Sequence, residues 1–499
     1  MLLRPDSEDL RVISYYLGRV LLVMAGVAVL PLAWAAIGRE WAPASSFLLT
    51  AGAFALVGVL VSMAPPRENR LGLGHGMVVV ALAWLIAPAL GSIPLALSGH
   101  FASVLDAYFD AMSGLTASGS SLVNDVDHLA PSLNFWRHLL QFIGGQGIVL
   151  ASVSVFAGGV GLSMFRGDGR EDRILPSVAS TARFIWLVSG LHLVFGVLLL
   201  GSVAYFGLGF TPARSLFHGL LTFFSSFVTG GFTVQSTSIG YYHSVFFEAA
   251  TMVFMLAGAM SFSLHYALWR RRGRLQLLRD LETRTLAVTM AGTMVLLMLG
   301  LATLGLYRNV GSLARQGLFH IVSAHTSSGF TLVPSTEIAQ WGGLAFVGVV
   351  TAMFLGGMAS SAAGGLKALR VGLVAKVLKD QVKRVLLPDR AVVPSVYQQG
   401  GRRRLTQQAA QAALLVTLLF VGLCAVGTAV GMAYGYPLQQ ALFDSVSAAT
   451  NGGLSAGIFG PHMPVVLEVT YILQMWLGRL EFVAVFALFG FVVSGVRGR

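Results

Sequence analysis

Four short runs rich in Gly, Ser and Thr hold the residues best suited to chemistry: TASGS at 116–120, VTGGF at 228–232, TSSGF at 326–330 and TNGGL at 450–454. Their side chains offer little apolar surface, so the backbone carbonyls are the natural ligands. Carbonyls from four loops around one axis can replace the hydration shell of a cation. The fourth residue of each run, Gly119, Gly231, Gly329 or Gly453, permits positive φ or close backbone approach. Each run follows an amphipathic stretch too short to cross a bilayer, at 105–115, 216–227, 318–325 and 442–449. A half-helix of this kind aims its negative dipole end at the ion. In three runs a Phe stands ten residues before the Gly: Phe109, Phe319 and Phe443. In the second it is Phe217, fourteen residues before Gly231, which reads as about one extra helical turn. One TxxG means little; four in matching places indicate an internal repeat. Four re-entrant turns that hold no ion would use the same residues.

The elements that carry these loops are membrane helices. Hydrophobic residues make up 55% of the 499 and charged residues 11%, far below the roughly one quarter a soluble surface needs. Ten spans are expected, at 11–37, 45–63, 71–97, 135–163, 181–208, 243–268, 286–307, 341–372, 405–433 and 463–495. Asp6, Glu8, Asp9 and Arg11 ahead of the first apolar run argue against a cleaved leader. Of the 33 Lys and Arg, 27 fall on one side of these spans and five on the other, with Arg479 left inside a span. By the positive-inside rule both termini are cytoplasmic. The charge of +12 is then a topology signal answered by lipid headgroups or a cytosolic partner, and not a nucleic-acid surface. The single cysteine, Cys424, excludes a disulfide framework or cysteine metal site within one chain.

The fold class that follows is an all-α polytopic membrane protein. Four pseudo-symmetric helix–pore loop–helix units surround one pore, and two extra N-terminal helices stand outside them. The divisions are 1–63 for the extension, then 64–166, 167–272, 273–384 and 385–499 for the units. Two further features belong to the spans. Gly356, Gly357, Gly364 and Gly365 bracket MASSAA at 358–363, which holds Ser360 and Ser361. Each Gly weakens a helix by about 1 kcal/mol, so a break beneath the loops could occlude the pathway and move aside. Close helix packing through small residues is the alternative. Arg479 lies mid-span, where a charge must face protein or water. It would either repel cations below the loops or pair with Glu468 or Glu481, the latter poorly placed two residues away.

The chain resembles the Trk/Ktr/HKT superfamily of K+ transporters, and the two leading helices resemble its Trk branch. The resemblance covers essentially the whole chain and includes IGGQGIVL (143–150), GGFTVQSTSIGYY (230–242), FLGGMASSAAGGLKALR (354–370) and GRLEF (478–482). It implies a K+ selectivity filter built from Thr116, Ala117, Ser118 and Gly119; Val228, Thr229, Gly230 and Gly231; Thr326, Ser327, Ser328 and Gly329; and Thr450, Asn451, Gly452 and Gly453. Superfamily members with Ser at the first Gly tend to favour Na+, so Gly119 implies K+. The residues 356–365 resemble the family's intramembrane gating loop, with Arg479 as its pore arginine. The resemblance also implies a homodimer in the cell membrane and a cytosolic nucleotide-binding regulatory subunit of Rossmann type. The departures are the long second half-helix and the TNGGL run.

No cofactor other than K+ as permeant ion is expected. There is no Walker A sequence and no GxGxxG after a predicted strand. His218, His243, His265, His320 and His325 lack metal-ligand spacing, and no GxSxG marks an intramembrane hydrolase, so no enzyme is expected. Asp106, Asp110 and Asp444 near the outer mouth either concentrate cations or solvate half-helices. The competing function is a secondary transporter coupling K+ to H+ or Na+, which would need a titratable group near the midplane.

Overall fold

The structure, a computed structural model, describes residues 6–67, 71–147, 178–269, 278–307, 309–388, 395–399 and 401–496. Apart from a small hairpin of Val396–Gln398 and Arg402–Arg404, the described secondary structure is helical. Among the described residues, six helices are each long and apolar enough to cross a bilayer: Ser7–Ile37, Trp41–Ser62, Leu73–Ala96, Ser180–Gly207, Leu281–Leu304 and Gln407–Ala433. With every backbone group bonded inside the segment, a helix is the form such apolar runs must take in lipid.

The first two helices form an antiparallel pair. Asp6 begins the first with a reciprocal capping box to Asp9. Gly18 and Gly58 bring the pair together, since a Cβ on Gly18 would stand 2.5 Å from the Gly58 carbonyl oxygen. The pair is tied to the rest by Glu40, which accepts from Ser132 N at 3.1 Å, and by Trp34 stacked on Phe135.

Four units follow. Their outgoing helices are Leu73–Gly91, Val178–Ser202, Leu281–Leu304 and Gln407–Ala433. Their half-helices are Val104–Thr116, Pro212–Phe227, Val310–His325 and Leu438–Thr450. Ser103 and Asn309 cap the first and third by accepting from Asp106 N and Ser312 N, while Pro212 and Pro437 open the second and fourth. The returning helices are Pro131–Gln146, Val245–Ala259, Gly343–Leu355 and Val465–Arg479. The face where the half-helices begin is here the upper face, and the face holding the Asp6, Asp280 and Thr406 caps the lower.

Each returning helix stops about halfway: the spans 243–268 and 463–495, expected unbroken, are corrected, while 341–372 breaks at the Gly pairs as expected. The second resumes as Phe262–Trp269 after a bend of 104° and the fourth as Val483–Val496 after 108°. The third gives way to an irregular stretch and resumes as Ala368–Leu386. The first ends at Gln146, and 148–163 of its expected span lie outside the described residues. Before three of the breaks a Gly presses on the end of its own half-helix. A Cβ on Gly144, Gly258 or Gly478 would overlap the carbonyl of Leu115, Phe227 or Ala449. The unit boundaries at 166/167 and 272/273 fall outside the described residues, and 384/385 falls in the last turn of Ala368–Leu386.

Candidate ion pathway

The four runs share one backbone conformation. Two residues before each Gly the chain is left-handed: φ is 54° at Ala117, 54° at Thr229, 56° at Ser327 and 54° at Asn451. At Gly119, Gly231, Gly329 and Gly453 it is 83°, 86°, 72° and 72°. Asn is at ease in the left-handed region, so TNGGL departs in sequence and not in geometry. The residue before each Gly donates to a Ser carbonyl five positions back: Ser118 to Ser113 at 2.8 Å, Gly230 to Ser225 at 2.8 Å, Ser328 to Ser323 at 2.8 Å and Gly452 to Ser447 at 2.7 Å. A Ser six residues before every Gly is a fourfold signal in the sequence that the Phe register obscured.

The second half-helix is not set apart by its length, although the first and fourth have 13 residues. It has 16 residues, as does the third. Leu221, ten residues before Gly231 and fully buried, takes the position of Phe109, Phe319 and Phe443. Phe217 lies further out, tilted against Trp34. The displaced Phe register of the second unit is therefore a Leu-for-Phe exchange.

The glycines close a ring. A Cβ on Gly119 would overlap the Gly230 carbonyl oxygen, and one on Gly231 the Ser328 oxygen. On Gly329 it would lie 3.0 Å from the Gly452 oxygen, and on Gly453 2.5 Å from the Ser118 oxygen. Unit one thus abuts two, two abuts three, three abuts four and four abuts one. A cavity of about 480 Å3 opens above them, lined by all four glycines, Thr233, Thr331 and Ser455. The hydroxyls of Thr116, Thr326 and Thr450 bond back to carbonyls four residues earlier, at 2.8, 2.7 and 2.7 Å; Val228 is the exception.

Buried polar groups fix the loops from behind. Asp110 accepts from Arg137 Nε at 2.7 Å and from Ser121 Oγ at 2.6 Å. Asp444, at the same register in unit four, accepts from Ser455 Oγ at 3.1 Å, Ala456 N at 2.7 Å and Ile458 N at 2.8 Å. His320 accepts there from Leu332 N at 3.3 Å. The burial of Asp110 and Asp444 and these bonds make both loop anchors. Gln141, which the sequence reading missed, donates to Gly230 O at 2.7 Å and accepts from Ser225 Oγ at 2.8 Å.

At the inner ends of the loops lies the stretch from Gly356 to Lys367, which φ of 68° at Gly356 starts. Gly365 N donates to Thr450 O at 3.0 Å, Met358 N to Ala259 O at 3.1 Å and Ala362 N to Gly258 O at 3.2 Å. Gly357 N meets Gly364 O at 3.4 Å, which draws the Gly pairs together and leaves 358–363 as a closed excursion carrying Ser360 and Ser361. His325 Nδ1 donates to Gly356 O at 3.0 Å. Arg479, in unit four, donates to Ala362 O at 3.0 Å and to Gly144 O and Gly145 O at 2.8 and 3.1 Å. It therefore bridges units three and one beneath the ring. It is the last residue of Val465–Arg479, at the bend midway along the span that continues as Val483–Val496. Glu481 pairs with Arg370, and Glu468 lies beside Asp106.

The chain matches the model of the TrkH family, described as cation transport proteins, over residues 47–493. It is 30% identical over 490 residues to an uncharacterised cation transporter of Methanocaldococcus jannaschii, covering 97% of this chain and 96% of that one. It is 29% identical over 505 residues to the Trk system potassium uptake protein TrkH of Halomonas elongata, covering 96% and 98%. The crystal structure of the potassium transporter TrkH from Vibrio parahaemolyticus superposes with a TM-score of 0.80 at 26% identity, over 96% of this chain and 98% of that one.

Proposed function

This chain belongs to the TrkH family of cation transport proteins, and on that footing we propose that it takes K+ into the cell through a gated, channel-like pore. The observation that carries the reading is the closed ring of four glycines, each against the carbonyl before the next. A ring of backbone oxygens suits a weakly hydrated cation. The relatives named as potassium uptake proteins match along almost the whole length of the chain, and Gly119 stands where a Ser would favour Na+.

In this reading Thr116–Gly119, Val228–Gly231, Thr326–Gly329 and Thr450–Gly453 form the filter. The residues 356–365 are the gate. They lie under the ring, bonded to units two and four, and Arg479 adds a positive charge below it. Opening requires the 358–363 excursion to release Ala259 and Gly258 and the Arg479 bridge to part. Both termini lie in the cytoplasm, and the basic segment 367–404 faces a cytosolic nucleotide-binding subunit. Two complete pores associate as a homodimer.

Growth rescue and K+ flux in a host lacking K+ uptake test the proposal. Selective K+ entry supports it; no flux, or equal flux of K+ and Na+, overturns it. One observation favours coupling to H+ as a second reading. His325 sits buried at the gate with Nδ1 as donor and Nε2 without a hydrogen-bond partner, which makes it a titratable group beside the pathway.

A further inference from the structure

Away from the pathway, the lower face holds a cavity of about 640 Å3 between Leu281–Leu304, Ala368–Leu386 and the Val396–Arg404 hairpin. Five of its lining residues are cations: Arg279, Arg284, Lys376, Lys379 and Arg402. None of the described lining residues is acidic. The carboxylates Glu282 and Asp380 on the same helices are buried and hydrogen-bonded outside the lining, and only Asp380 approaches one of these cations. Glu282 is buried and accepts from Ala359 N at 2.8 Å and Gln399 Nε2 at 3.0 Å. Asp380 is buried, accepts from the Ser395 hydroxyl and stands 4.0 Å from Lys376 Nζ.

The chemistry changes along the cavity. Towards the membrane its wall is Val288 and Val371, and Val288 is 72% exposed on a helix apolar enough to span a bilayer. The two helices touch at Gly372, where a Cβ would stand 2.6 Å from Thr285 Oγ1. A site that is cationic at the helix end and apolar one turn deeper matches a molecule with an anionic head and a hydrocarbon tail.

We propose that this cavity seats the headgroup of an anionic phospholipid. The phosphate lies among Arg279, Lys376, Lys379 and Arg402, and an acyl chain runs along Val288. A free phosphate would leave the apolar wall unused, and an acidic protein face would not reach into the bilayer to cover it. Glu282, on the first turn of the same helix, accepts from Ala359 in the 356–367 stretch, so the seat and that stretch share one helix end. Binding itself does not depend on the filter reading, and its test needs no transport.

The full chain is placed in nanodiscs of mixed phosphatidylglycerol and phosphatidylcholine, and retained lipid is counted by native mass spectrometry. The parent should keep phosphatidylglycerol in preference. Arg279→Gln with Lys376→Gln and Lys379→Gln should lower that retention by at least about tenfold. Lys383→Gln with Arg384→Gln and Arg404→Gln, an equal loss of charge outside the cavity, should not. Equal loss in both triples would overturn the seat, since only general surface charge would be at work. Competition by inorganic phosphate as effective as by the lipid would overturn the lipid assignment. A change of oligomeric mass in the first triple without loss of lipid would reassign the face to a second copy. Because Arg279 precedes the helix and is exposed, Arg279→Gln alone provides a folded variant and should show a smaller loss in the same direction.

Discussion

A side chain on Gly453 would meet the carbonyl oxygen of Ser118, 335 positions earlier in the chain, at 2.5 Å. That contact joins the last unit to the first and turns a linear repeat into a ring. Neither glycine conformation nor space allows for a substituent there, since φ is 72°.

Gly453→Ala should therefore cut K+ flux by about tenfold or more, given a penalty of about 1–2 kcal/mol for left-handed backbone plus the clash. Helix content by circular dichroism should stay unchanged. Flux equal to the parent would show that the ring is not the path.

Gly119→Ser should shift selectivity from K+ toward Na+. The new side chain would press on the Gly230 carbonyl, which Gln141 already holds at 2.7 Å. Rubidium and sodium uptake measured side by side in proteoliposomes would decide, and an unaltered ratio would remove Gly119 from the selectivity argument.

Deleting residues 358–363 should raise K+ conductance. Gly357 and Gly364 already face each other across a 3.4 Å hydrogen bond, so the ends can rejoin with little rearrangement. Unchanged conductance in a folded protein would mean that the excursion does not obstruct the pore.

Arg137→Gln should destabilise the chain by about 3–5 kcal/mol, because it leaves Asp110 buried without its cation. Both side chains are almost fully inaccessible and meet at 2.7 Å. Thermal unfolding in detergent would measure the loss. A melting temperature equal to the parent's would contradict an anchoring role.

His325→Gln separates the passive and coupled readings. K+ flux is followed against pH at zero voltage, in parent and variant. Accumulation driven by a proton gradient in the parent and lost in the variant would establish coupling. Flux that ignores the gradient in both leaves a passive pore.

The fourfold architecture was legible because its signals recur. The short amphipathic stretches and the Gly positions reappear in each unit with the same backbone. Reading the register through Phe failed in unit two, because burial at that position selects bulk and Leu221 supplies it as well as Phe does. The breaks in the returning helices were visible only in the third, where Gly pairs cluster. In the fourth, Leu480, Glu481 and Phe482 make the turn, with φ of 50° and 69° at the latter two. No propensity rule marks such residues as a corner; the corner comes from crowding beneath the ring. Gln141 and Arg479 act across units, and contacts between residues 89 or 335 positions apart leave no local trace in a single sequence.

The ring of carbonyls and glycines runs in one rotational order, and all four quarters are encoded in one polypeptide. A channel assembled from identical subunits can only change all its quarters together. Here a single codon alters one quarter, as Val228 already does where the other three carry Thr. Each alteration also presses on one particular neighbour. Selection can therefore adjust the coordination of the ion in quarter steps.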